Sequence, residues 1–191
     1  MPPRIKTTAE DIINAAYEIV REEGMKKLTA RNVAQRLGTS VQPIFRAFVN
    51  MEDLEEMVME KIKNTYRVYI MNSVSIDDGL MGTVMAYIQF AREEKNLFQI
   101  LHMSERYAFQ EAKEISNVDI NAEIVKAIAQ MEDMTIEEAA FLYQATFFTA
   151  HGIASLIATN HCEFTNEEIK TVLNRVFQGT ALKIKSEKEE K

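Results

Sequence analysis

Eight consecutive residues, Thr39-Ser-Val-Gln-Pro-Ile-Phe-Arg46, gather two hydroxyls, branched methyls, an amide, an aromatic ring and a guanidinium. That set suits the groove of a nucleic-acid duplex. The amide of Gln42 and the guanidinium of Arg46 match the donor and acceptor edges of bases. The methyls of Val41 can meet the methyl of thymine, and the hydroxyls of Thr39 and Ser40 can grip phosphate. Other reactive side chains are sparser. His102-x-x-Glu105 and the pair His151 and His161 could ligate a metal, but neither Glu-x-x-His nor His-Glu-x-x-His occurs. Cys162 follows His161 directly, and neighbours on a helix point about 100° apart, which spoils a thiol–imidazole pair. The six glycines match no phosphate-loop fingerprint. No catalytic set, metal site or cofactor is expected.

The elements that would hold the first set can be read from caps and apolar spacing. Thr8 with Asp11 forms a capping box before Ile12, Ile13, Ala16, Ile19 and Val20, and Gly24 stops that helix. Thr29 caps a second, short helix, with Leu28 and Val33 as its staple and Gly38 at its end. Capping by Ser40 would open a third helix with Pro43 at its third position, where a missing N–H costs nothing. Ile44 and Phe48, four apart, would face inward and leave Thr39, Val41, Gln42, Phe45 and Arg46 outside. Two short helices around a glycine turn make a helix-turn-helix, whose second helix enters the major groove. Asn50 with Asp53, stapled by Val49 and Leu54, starts a long helix to about residue 72. Further helices are predicted at 77–94, 95–110, 119–132, 135–160 and 165–184, the last two opening on capping boxes at Thr135 and Thr165. No segment alternates like a strand. The expectation is all-α, with a head at 1–50, a bundle at 51–185 and a charged, disordered tail at 186–191.

The 191 residues carry 22 bases and 29 acids, unevenly spread. Residues 1–50 hold eight bases and five acids, so an acidic body carries a basic head. Such asymmetry favours an anionic partner for the head. The single cysteine suits a reducing cytosol, and Met1–Lys6 lacks the apolar core of a signal peptide, which points to the cytoplasm. From Ala139 to Cys162 no acid or base occurs in 24 residues, yet the run holds eight polar residues and acidic flanks. A buried helix, not a membrane span, is expected.

The stretch Thr8–Leu54 resembles the N-terminal domain of the tetracycline-repressor (TetR) family of bacterial transcription regulators. The resemblance rests on Ile13-x-x-Ala16, Gly24 with Leu28-Thr29, Val33-Ala34-x-x-Leu37-Gly38, Ile44-Phe45-x-x-Phe48 and Asp53-Leu54. Phe45 stands where the family usually has Tyr, and Met51 where it usually has Lys. A hydroxyl and an ammonium that commonly meet phosphate are therefore absent. Phe147-x-x-x-His151-Gly152 is similar to a Trp-x-x-x-His-Gly stretch of one subgroup, within a domain that binds ligands and dimerises. The resemblance implies a repressor that meets double-stranded operator DNA as a homodimer and answers to a small-molecule effector.

On that reading Gln42, Thr39 and Arg46 read bases. Ser40, Thr29, Phe45 and an arm with Arg4 and Lys6 hold the backbone. A stripe of aromatic and methionine residues is ordinarily core. Its alternative is an apolar effector pocket lined by Phe98, His102, Met103, Tyr107, Phe147 and His151. Ala150, Ala154 and Ala158 recur every four residues, and the next helix offers Ile169, Val172, Leu173, Val176 and Phe177. Small and apolar rows of this kind would let two subunits close a four-helix seam. The competing function is a ligand-binding or catalytic bundle whose helix-turn-helix meets no DNA.

Overall fold

A computed structural model describes residues 7–73, 79–104 and 122–189. Helix α1 (Ala9–Glu23) opens as its sequence requires. The Thr8 hydroxyl accepts the Asp11 N–H at 3.1 Å, and the Asp11 carboxylate accepts the Thr8 N–H at 2.9 Å. Gly24, at φ 84°, ends it and leads through a 3-10 turn (Met25–Lys27) to α2 (Ala30–Arg36), which Thr29 caps. The reversal after α2 is a Schellman turn. The Gly38 N–H reaches the Gln35 carbonyl at 3.1 Å and the Thr39 N–H reaches Ala34 at 3.0 Å, while Gly38 takes φ 64°. Helix α3 (Gln42–Ala47) follows, then α4 (Met51–Ser73), capped where Asn50 Oδ1 accepts the Asp53 N–H at 2.8 Å.

The remaining described helices are α5 (Gly79–Glu93), α6 (Lys95–His102), α7 (Ala122–Glu132), α8 (Ile136–Ala158) and α9 (Asn166–Glu189). Among the described residues there is no strand, and the fold is all-α. Helix α8 is the hub: it packs against α5, α6, α7 and α9, while α1 packs on α4 and α6. One continuous apolar core joins Ile12, Ile44 and Leu54 in the head to Phe98, Leu142 and Ile157 in the body. The head is further tied to the body by the Arg21 Nε–H, 2.8 Å from a Glu94 oxygen, and by Asn96 Nδ2, 2.8 Å from the Arg21 carbonyl.

Several sequence expectations are corrected. Val49 is 88% exposed while Leu54 is buried, so these two form no staple. Helix α6 ends at His102, with Met103 and Ser104 outside it, short of the expected 110. The last helix continues to Glu189 through part of the expected tail. There Lys185 meets Glu132 of α7 at 2.7 Å and Lys188 meets Glu138 of α8 at 2.8 Å. Charges that look like a fraying end are spent on pairs across helices.

The largest correction concerns the alanine seam. Ala150, Ala154, Ala158, Ile169 and Leu173 are fully buried within the subunit. Small residues let α8 approach its own neighbours closely, and the polypeptide itself covers the row. Val172 is 41% exposed, and Val176 and Phe177 are half-buried. Length and composition would let α8 cross a membrane, but ten of its residues lie in the core.

Gly38 has open space where a Cβ would sit, so only its left-handed backbone resists replacement. Gly38→Ala is expected to cost about 1–2 kcal/mol, read as a lower urea midpoint with unchanged slope.

Candidate nucleic-acid interface

Helix α3 touches the core with one fully buried residue, Ile44, and Phe48 just beyond it is half-buried. The rest of the helix faces out. Ser40, Val41, Gln42, Phe45 and Arg46 are all exposed, Phe45 by 51%, and Thr39 is half-buried. A ring of that size left half in water on a two-turn helix is an unsatisfied apolar surface. The cap differs from the sequence expectation. Val41, at φ −72° and ψ −13°, already has helical backbone and occupies the cap, with Pro43 in the first turn. Ser40 therefore sits one residue too early to cap, and its hydroxyl stays exposed. Thr29 accepts the Asn32 N–H at 3.2 Å, which leaves its own hydroxyl hydrogen to donate outward. Arg4 and Lys6 lie outside the described residues.

The structure sorts the cations of the head. Arg21 is committed to Glu94 and Glu18, and Arg36 to Glu22. Lys26, Lys27, Arg31 and Arg46 are exposed with no carboxylate partner among the described residues. The charge count of the sequence includes Lys26, Lys27 and Arg31 without giving them a role. Their signal was proximity: all three flank the Thr29 cap of α2.

Residues 12–57 match the family model for bacterial regulatory proteins of the tetR family. The head of the chain is thus similar to the N-terminal domain of that family. No curated protein matches the chain. Two solved structures share its fold. A TetR-like transcriptional regulator from Rhodococcus sp. RHA1 aligns with a TM-score of 0.57 and 10% identity, over 93% of this chain and 96% of that one. A putative TetR-family transcriptional regulator from Vibrio parahaemolyticus aligns with a TM-score of 0.56 and 15% identity, over 90% of this chain and 97% of that one. The matched head thus sits on a bundle, and the whole chain shares its overall fold with both.

Within the bundle, four of the six expected pocket residues come together. Phe98, His102, Phe147 and His151 join Tyr66 and Tyr87 in one ring cluster. Tyr87 lies 5.2, 5.0 and 5.1 Å from Phe98, His102 and Phe147 by ring centroid, and its hydroxyl is 2.7 Å from His151 Nδ1. Met103 is instead 43% exposed at the end of α6, and Tyr107 lies outside the described residues. His102 Nε2 and the Tyr143 hydroxyl are buried without a hydrogen-bond partner. Two cavities of about 470 and 260 Å³ lie elsewhere, at Met85 and Lys170 and at Phe177 and Lys185. The rings are therefore packed on one another as core.

Burial pushes the His102 imidazole down to about 3, with His151 adding to the effect, and burial lowers His151 as well. The unfolded chain binds a proton at His102 from about pH 6.5 downward, and the folded chain refuses it until about pH 3. Stability is thus lost as pH falls through 6.5. Between pH 6.5 and 5.0 the native chain is expected to lose about 1.5 kcal/mol more than His102→Phe, measured by urea unfolding. Equal losses would place His102 in water.

Proposed function

We propose that the chain is a cytoplasmic repressor that binds a near-palindromic operator as a homodimer and is released by a small, largely apolar effector. The observation that carries this reading is α3. Its one fully buried side chain fastens it to the head, and its exposed face presents Val41, Gln42, Phe45 and Arg46. Gln42 and Arg46 read base edges, with Thr39 beside them, and Val41 supplies methyl contact. Ser40, Thr29 and Phe45 meet the backbone, joined by Lys26, Lys27, Arg31 and the arm of Arg4 and Lys6. Two such helices would enter successive major grooves, about 34–36 Å apart.

Selection of random duplexes by the purified protein should return a two-fold symmetric site. Gln42→Ala should then cost about 1–3 kcal/mol and relax preference at one base pair per half-site. A uniform loss over all duplexes would show that Gln42 reads no base.

Dimerisation moves to a different face of α8 from the one read in the sequence. Phe141, Phe148 and Leu156 are 60%, 41% and 43% exposed, and Ala145 and Gly152 lie on the same face at three- and four-residue steps. They leave an apolar strip on α8 that a monomer would hold in water, and Val172 of α9 is exposed as well. A second copy of α8 and α9 would cover it. Phe148→Glu with Leu156→Glu should give a helical monomer by sedimentation, with operator affinity lost. A dimer that survives both charges would put the seam on another surface.

A further inference from the structure

The cleft between α4, α5 and α9 has about 470 Å³ and a lining of two kinds. Met81, Met85 and Ala86 of α5 make an apolar floor. Gln89, Asn166 and Lys170 make a polar wall. Arg92 sets the orientation of that wall from behind. Its guanidinium donates to Gln89 Oε1 at 2.9 Å, to Asn166 Oδ1 at 3.0 Å and to the Phe164 carbonyl at 2.9 Å. Both amide oxygens are thereby engaged by one guanidinium. The Gln89 amide nitrogen is in turn taken by Glu93, 2.6 Å away, but the Asn166 amide nitrogen has no partner among the described residues.

The carboxylate beside Gln89 is already occupied. Glu93 accepts from Gln89 and from the Tyr69 hydroxyl at 2.7 Å, and these donors hold its carboxyl below the usual range. Lys170 stands one turn along α9 from Asn166 and has no carboxylate partner among the described residues. The wall therefore offers an amide donor and an ammonium, with the Ser73 hydroxyl across the cleft on α4, set above two thioethers that adapt to a chain of varied shape. A neutral alcohol would leave the ammonium uncompensated, and a cation would be repelled by it.

We propose that this cleft binds a free amphipathic monocarboxylate, with its head on Lys170 and the Asn166 amide and its apolar body on Met81, Met85 and Ala86. The inference rests on the reading of the bundle as ligand-binding. It places the ligand beside α5, away from the ring cluster.

The test uses the full chain, titrated below the micellar range with decanoate, decanol and decyltrimethylammonium. Calorimetry is paired with spectra of carbon-13-labelled methionine methyls. Decanoate should bind saturably and move the Met81 and Met85 signals, leaving exposed Met131 of α7 unmoved. Lys170→Gln should weaken decanoate about tenfold, the worth of one charge-assisted contact, and Lys170→Arg should restore most of it. Circular dichroism would confirm that both variants fold. Equal binding of decanol, an unchanged Lys170→Gln, shifts confined to other methionines, or no saturation would each overturn the site. Because no DNA enters the measurement, its failure leaves operator binding standing, and failure of operator binding leaves this site standing.

Discussion

Helix α8 carries no charge from Ala139 to its end, and water must be kept from most of its circumference. Beyond its acidic first turn the 23-residue helix is largely apolar, so exposure of the bare helix would strand a large apolar area in solvent. The body is arranged around this requirement. Helices α5, α6, α7 and α9 each take one side, and the row Ala150, Ala154 and Ala158 lets backbones come close enough to exclude voids. What remains uncovered is a single strip of α8, and it contains two phenylalanines and a leucine.

The head depends on the same body for its position. Helix α4 buries Leu54 and Val58 with the head and carries Tyr66 into the ring cluster about two turns further along. Helix α6 is held to α1 through Glu94 and Asn96 at one end, and it places His102 among those rings at the other. Two rigid elements thus run from the base of the helix-turn-helix into the buried aromatic residues. Helix α3, by contrast, is thinly attached, since it contributes one fully buried side chain to the common core. An element of that kind presents its remaining side chains without spending them on packing.

Local features were legible in the sequence wherever the determining atoms lie within a few residues of each other. The capping boxes at Thr8, Thr135 and Thr165 and the cap at Thr29 depend on contacts three residues apart, and each forms. Gly38 marks its turn because a left-handed residue there is cheapest without a Cβ. The α3 cap lies one residue beyond Ser40, because Val41 adopts helical backbone that no local side chain demands. The helix-turn-helix and its outward set from Ser40 to Arg46 survive that shift, since spacing relative to buried Ile44 determines which residues point out.

Faces shared between helices were another matter. Periodicity shows that Ala150, Ala154 and Ala158 share one stripe, but not whether this chain or a second copy covers it. The answer depends on how α5 and α9 lie against α8, and no spacing within α8 encodes that. The same holds for the rings: sequence groups Phe98 with His102 and Phe147 with His151, and only the packing of α4, α5, α6 and α8 decides that they fill each other's space. Ion pairs such as Arg21 with Glu94 join residues 73 apart, so the chain alone shows two charges where the fold has a neutralised tie. Sequence determines caps, turns and which residues share a helix face because those are short-range geometry. Tertiary structure decides which face is buried, which cation stays free and where a cleft opens, because each depends on a partner brought from far along the chain.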